Sequence, residues 1–189
     1  MASESKIRAF LALPLAPSFE AEVGPLIEGL KRRYPKIRWI RPSQIHVTFH
    51  FFGSTAGEQV DRISKSVSQI TTQTSPISLF LSEIGGFPNL ARPRVIWLGI
   101  GGEIEKLKSL HASLEQELKK EGFQCEERPF KPHLTLGRVK QEKGLHNFGP
   151  PEFSSTETKR VTEIVLFESR LSPAGPTYEA IATYPLSKT

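Results

Sequence analysis

One segment of this chain recurs at a fixed distance. Arg41-Pro42-Ser43-Gln44-Ile45-His46-Val47-Thr48-Phe49 and Arg128-Pro129-Phe130-Lys131-Pro132-His133-Leu134-Thr135-Leu136 share an Arg-Pro, a His and a Thr, each displaced by 87 positions. The same displacement carries Ile7–Leu13 (IRAFLAL) onto Arg94–Ile100 (RVIWLGI), both strand-like, and Ala16–Arg33 onto Glu103–Lys120, both helical in pattern. Four features in one order at one spacing define a duplicated unit. Two copies are too few to stack as a solenoid, so they are expected to face each other across a pseudo-twofold axis. The 189 residues fit a single two-lobed domain spanning 1–189, a size that buries roughly 70% of the unfolded chain's surface.

The local pattern is mixed. Glu103–Lys120 sets Ile104, Leu107, Leu110, His111, Leu114 and Leu118 on one stripe, and Glu58–Ile70 does the same with Val60, Ile63, Val67 and Ile70; both read as amphipathic helices. In the first unit Ser18 is placed to cap a helix with Glu20 and Glu22 in its opening turn and Lys31, Arg32 and Arg33 at its end, the polarity that the helix dipole favours. Gly24-Pro25 is expected to kink or divide that helix. Strands are expected at Ile7–Leu13, Ile37–Ile40, Gln44–Phe52, Ile77–Leu81, Arg94–Ile100, Phe123–Glu127, Pro132–Val139, Val161–Glu168 and Tyr178–Thr183. The expected class is α+β, rich in antiparallel sheet.

Composition narrows the function classes. Hydrophobic residues at 38% with charged residues at 24% exclude global disorder. The single Cys125 excludes an internal disulfide and any Cys-cluster zinc or iron–sulfur site. No apolar run approaches the ~18 residues of a membrane span. Met1–Arg8 is polar with no signal-peptide pattern, so a soluble protein of a reducing compartment, the cytoplasm, is expected. The formal charge of +5 is unevenly placed. Gly29–Gly57 has no acid but carries Lys31, Arg32, Arg33, Lys36, Arg38 and Arg41, and Arg128–Gln141 has no acid but carries Arg128, Lys131, Arg138 and Lys140. Each window encloses one His-x-Thr triplet, so an anionic partner is expected there.

A strand gives the triplet its meaning. In Gln44–Phe52, alternation puts Ile45, Val47, Phe49 and Phe51 on one face and Gln44, His46, Thr48 and His50 on the other. The apolar set belongs to a core, which leaves His46 and Thr48 sharing the opposite face about 6.6 Å apart. His133 and Thr135 behave alike, with Leu134 and Leu136 inward. Two such strands across a cleft bring together two imidazoles and two hydroxyls, a set suited to a phosphodiester. Hydroxyls can donate to non-bridging oxygens, while displacement at phosphorus wants a base on the attacking oxygen and an acid on the leaving one. Imidazoles with reference pKa values near 6.5 can take both parts at neutral pH.

Other chemistries fit less well. His46 and His50 could share a metal ion on a helix, but on a strand they stand about 13 Å apart. Cys125 lies among acidic residues that disfavour its thiolate. No Ser elbow, P-loop or dinucleotide glycine motif is present. His111, on the apolar stripe of a helix, reads as a core residue, His146 as a solvated one, and His50 as a neighbour of the cleft.

Taken together, Arg8–Leu13, Ile45–Gly53 (IHVTFHFFG), Gly85–Gly99 (GGFPNLARPRVIWLG), Gly122-Phe123 with Glu127–Val139 (ERPFKPHLTLGRV), and Glu168–Tyr178 (ESRLSPAGPTY) resemble the 2H phosphoesterase superfamily. Within it they are similar to the RNA 2′,3′-cyclic phosphodiesterases, also called 2′-5′ RNA ligases (LigT/ThpR type). The resemblance implies a bilobal fold with two antiparallel sheets flanking a V-shaped cleft and helices on the outer faces. It also implies metal-independent hydrolysis of 2′,3′-cyclic phosphate ends of RNA or nucleotides to 2′-phosphomonoesters, with reverse 2′-5′ ligation as a companion reaction and no cofactor. On the same ground His46 is the proton donor, His133 the proton acceptor, and Thr48 and Thr135 hold the phosphate. Arg138 matches a phosphate contact, provided that Gly137 allows a twist or bulge, since strict alternation turns Arg138 away from His133. His50 stands where similar sequences often carry Lys. Phe10 and its offset partner Trp97 either stack a base or belong to the core. Neither a membrane nor a protein partner is implied, and a monomer is expected. Two rival readings stay open: a non-catalytic nucleotide- or RNA-binding module on the same fold, and the same chemistry on another cyclic phosphate or a 2′-5′ linkage.

Overall fold

The computed structural model describes residues 6–139, 145, 148–153, 155, 157–173 and 175–187. His146, Lys140 and the first five residues lie outside them. In chain order the elements are β1 (Ile7–Pro14), α1 (Glu20–Arg33), β2 (Arg38–Trp39), a 3-10 turn at Pro42–Gln44, β3 (His46–Thr55), α2 (Gly57–Thr71), β4 (Ile77–Phe87), β5 (Val95–Gly102), α3 (Ile104–Lys120), β6 (His133–Arg138), β7 (Lys159–Val161), β8 (Glu163–Ser172) and β9 (Gly175–Pro185). No helix among the described residues is long and apolar enough to cross a membrane.

The strands form a nine-stranded sheet in the order β7-β4-β5-β6-β3-β1-β8-β9, with β2 added on β6. Every pairing is antiparallel. The order is symmetric about the β6–β3 junction, where the two halves join through one residue pair, Val47 with Leu134. These residues are 87 apart, so the pseudo-twofold axis runs between them. The expected two sheets are thus two lobes of one curled sheet that splays on either side of that pair. Leu11, Leu13, Val47, Leu98, Leu134 and Leu136 are fully or almost fully buried beneath it, each such side chain contributing roughly 1.5–3 kcal/mol. From α3, Leu107, Leu110, Leu114 and Leu118 join this core, and from α1, Val23, Ile27 and Leu30. α1 reaches over to β7, where Glu22 meets Lys159 at 3.3 Å, while α3 reaches β3.

The structure departs from the sequence reading in four local respects. α1 runs unbroken through Pro25, and its N-cap residue is Phe19, with no side-chain cap from Ser18. The stretch expected as one strand at Val161–Glu168 is divided between β7 and β8. Phe123–Glu127 forms no strand, although its counterpart in the first unit supplies β2. The offset also slips: Thr48 pairs with Ala12 but Thr135 pairs with Trp97. β1 and β5 are therefore related by 85 positions, and Trp97 occupies the place of Ala12, not that of Phe10.

Candidate active site

β3 and β6 present the same face to the cleft because both carry a β-bulge at the same place. On β3, Leu11 pairs with His50 and Ala12 with Thr48, which leaves Phe49 as the extra residue. On β6, Ile96 pairs with Gly137 and Trp97 with Thr135, which leaves Leu136 extra. Phe49 and Leu136 are again 87 apart. A bulge shifts the alternation by one residue, so Phe49 and His50 are both buried and Phe51 turns outward, 48% exposed. On β6, Leu136 and Gly137 are both buried and Arg138 turns outward. The cleft therefore receives His46, Thr48 and Phe51 from one lobe and His133, Thr135 and Arg138 from the other. Arg138 reaches the imidazole face as the phosphate-contact reading required. Gly137 flanks the bulge, and a Cβ there would also lie 2.8 Å from the Trp39 ring, which packs where β2 joins β6.

The two imidazoles are held alike. His46 Nδ1 lies 2.8 Å from the Gln44 carbonyl and His133 Nδ1 lies 2.8 Å from the Lys131 carbonyl. A carbonyl can only accept, so each Nδ1 carries a proton and donates it. The group that exchanges protons on each ring is then Nε2. Aromatic rings fix the planes. Phe10 and Tyr178 lie 5.1 and 5.4 Å from His46, and Phe87 and Trp97 lie 5.0 and 6.4 Å from His133, between centroids. Burial lowers the pKa of both imidazoles. The nearby Arg138 charge lowers both further, against the backbone carbonyls, and protonated His133 lowers His46 as well. The same Arg138, with Arg38 and Arg8, draws down the Tyr178 phenol against the larger upward push of burial.

Beside this pair opens a cavity of about 780 Å³, lined by His133, Thr48, Thr135 and Arg138 and by Phe51, Phe87 and Phe130. His46 is set back from it between Phe10 and Tyr178. The second basic window supplies Arg128, Lys131 and Arg138 to the lining, and the first brings Arg38 to Tyr178, whereas Lys31 faces solvent in an ion pair with Glu28.

Of the two readings open for Phe10 the structure favours the core one, while His50 and His111 lie elsewhere than expected. Phe10 is 2% exposed, closed in by His46, Phe51, Phe167 and Tyr178, so its faces are not open to a base and it backs His46 instead. His50 does not share the face of His46; the bulge turns it inward, where Nδ1 meets Glu115 Oε1 at 2.6 Å. His111 is only partly core: its Nε2 donates to the Phe49 carbonyl at 3.2 Å, and its ring stacks on Phe130 at 3.8 Å along the cavity wall. The Cys125 thiol is pushed up to about 12, by burial and then by Glu115, which disfavours its free thiolate. The residue that sequence alternation missed is Phe51, with Arg8 over its ring at 4.7 Å. Its signal was the offset, since Arg138 projected back by 87 positions falls on Phe51.

Comparisons with known proteins place the chain in a family. The family profile described as the 2′-5′ RNA ligase superfamily matches residues 17–168. A protein of Methanothermobacter thermautotrophicus named RNA 2′,3′-cyclic phosphodiesterase is 33% identical over 185 residues, covering 96% of this chain and 100% of its own length. A protein of the same name from Archaeoglobus fulgidus is 31% identical over 183 residues, covering 94% and 99%. The crystal structure of a Thermus thermophilus protein shares the fold, with a TM-score of 0.83 at 24% identity over 96% of this chain and 98% of that one. With a profile spanning most of the chain and relatives matched end to end, this chain belongs to the 2′-5′ RNA ligase superfamily.

Proposed function

We propose that the chain is an RNA 2′,3′-cyclic phosphodiesterase in which His133 is the general base and His46 the general acid. The carrying observation is the matched anchoring of both imidazoles through Nδ1, which assigns the exchangeable proton of each to Nε2. His133 Nε2 takes a proton from water as its oxygen bonds to phosphorus. The P–O3′ bond breaks, and the proton on His46 Nε2 passes to the departing 3′ oxygen. The phosphate stays on the 2′ oxygen, and exchange with solvent resets both rings. Thr48 and Thr135 donate to the non-bridging oxygens, and Arg138 neutralises the charge that builds on them. An anion in the cleft also opposes the influence of Arg138 on the imidazoles and favours protonation of His46. The names of the two archaeal relatives support the substrate class. No step needs a metal, because each proton has a donor and an acceptor. A 5′-hydroxyl in place of the attacking water would give a 2′-5′ linkage through the same transition state, the companion ligation.

The test is turnover of a nucleoside 2′,3′-cyclic phosphate in excess EDTA. Wild type is expected to release the 2′-phosphate. His46→Ala and His133→Ala are each expected to lose about 10²–10⁴-fold in rate while still binding. Binding by all three with no turnover by wild type would leave a non-catalytic module, and release of the 3′-phosphate would reverse the bond assignment.

A further inference from the structure

The duplication is broken beside the Val47–Leu134 pair, and the break exposes a cluster of ligating side chains. On one side of the Val47–Leu134 pair, β2 closes the space beside β6: Arg38 and Trp39 pair with Arg138 and Gly137, and Ile40 N–H caps the carbonyl of the bulged Leu136 at 2.9 Å. On the other side residues 123–127 form no strand on β3, and the space remains part of the cavity, with Gln124 and Glu126 at its edge and His50, His111 and Glu115 in its wall. His50 is 7% exposed and aims Nδ1 at Glu115 Oε1. The ligating atoms of His50, Glu115 and Cys125 all lie within 4.8 Å of one another, and the proton transfers assigned above use none of them.

We propose that His50, Glu115 and Cys125 form a binding site for a zinc-class divalent cation, held by one imidazole nitrogen, one carboxylate oxygen and one thiolate sulfur. The mixed N, O, S set suits zinc and its neighbours and disfavours magnesium and calcium, which take oxygen shells. Three protein ligands leave a fourth position on the cavity side for water. A thiolate and a carboxylate balance the two positive charges, so a half-buried complex carries no net charge. The cation replaces the thiol proton, which leaves to solvent, and His50 ligates through Nδ1 with its ring proton on Nε2. Bonds of about 2.0–2.1 Å to N and O set those two ligand atoms roughly 3.3 Å apart in a tetrahedron. Glu115 therefore has to withdraw from its 2.6 Å contact with His50 by less than about 1 Å. The ion would tie residues 123–127 to β3 and α3, as β2 ties the corresponding segment to β6.

The test titrates chelator-stripped full-length protein with Co²⁺, followed by Zn²⁺. One equivalent of Co²⁺ is expected to give a thiolate-to-cobalt charge-transfer band that Zn²⁺ abolishes, and Zn²⁺ is expected to raise the Tm. Cys125→Ser is expected to lose the band and the Tm shift, and His50→Gln and Glu115→Gln to weaken binding at least tenfold. The His46→Ala/His133→Ala double variant is expected to keep all three responses. The proposal is overturned by the absence of a band in folded wild type. A band that survives both His50→Gln and Glu115→Gln, which is adventitious thiol binding, also overturns it, as does a response lost in the His46/His133 double variant, which would put the ion in the phosphate cleft. None of these readouts depends on turnover.

Discussion

Among the described residues Val47 and Leu134 are the one residue pair in register between the two central strands, and each sits between the His and the Thr of its own triplet. Antiparallel pairing at that point sets His46 toward Thr135 and Thr48 toward His133. The duplication thus builds a site whose two halves are chemically equivalent until the asymmetric residues Phe51 and Arg138 distinguish them.

The pH dependence follows from the imidazoles. The base must be neutral, so activity falls as pH drops through its pKa; the acid must be protonated, so activity falls as pH rises through its pKa. Burial and Arg138 hold both below the ordinary 6.5. The bell in kcat/KM of the free enzyme should therefore peak below about 6.5, the two limbs reporting apparent values of the pair. Initial rates from pH 4.5 to 8.5 check this.

Arg138→Gln separates the two effects of that guanidinium. Loss of the proposed phosphate contact should lower kcat/KM by about 10- to 100-fold, as for a hydrogen bond to a charged group. Loss of the positive charge lets both imidazole pKa values rise, so the optimum moves to higher pH. Arg138→Lys, which retains charge, should keep the optimum of wild type while still losing activity.

Phe51 faces the cleft, where alternation turns it inward, and Phe10 lies buried behind His46. Phe51→Ala should raise KM for a dinucleotide cyclic phosphate with little change in kcat, consistent with about 1–3 kcal/mol of base stacking. Phe10→Ala should instead destabilise the fold by about 3–5 kcal/mol, because it empties a buried ring position. Denaturant midpoints and steady-state kinetics on both variants distinguish these outcomes.

The bulge at Phe49 is held by His111, which does for β3 what the Ile40 amide does for β6. His111→Ala leaves the Phe49 carbonyl without its donor, at about 1–3 kcal/mol, and loosens Thr48, so KM should rise more than kcat falls. His111→Gln, which restores an N–H, should recover most of the KM; equal loss in both variants would reduce His111 to a packing role.

Gly85 carries the ring that backs His133. A Cβ there would meet Trp97 Cζ2 at 2.1 Å, so Gly85→Ala should destabilise by about 1–3 kcal/mol through overpacking and move Trp97 off His133. Thermal melts and Trp fluorescence read both effects.

Much of this site was legible in the sequence, because the duplication ties distant residues together through one number. His46, Thr48, His133 and Thr135 followed from the offset and from alternation. Alternation fails at the bulges, since an extra residue on one strand leaves no mark in a period-two pattern; it turns His50 outward and Phe51 inward, the reverse of what the structure shows. The two-residue slip between β1 and β5 leaves no mark in the sequence because both strands are largely apolar, so the offset matches Phe10 with Trp97. Phe123–Glu127 has a strand-like alternation equal to that of Ile37–Ile40, but only the latter lies against a glycine, Gly137, over which Trp39 can pack.

The assignment of acid and base to opposite sides of one phosphorus is tested most directly with a nucleoside 2′,3′-cyclic phosphate whose 3′ bridging oxygen is sulfur. Sulfur departs without being protonated, so the account predicts that this substrate restores turnover to His46→Ala by at least about 10²-fold and leaves His133→Ala inactive. Rescue of His133→Ala instead, or of neither variant, would contradict it.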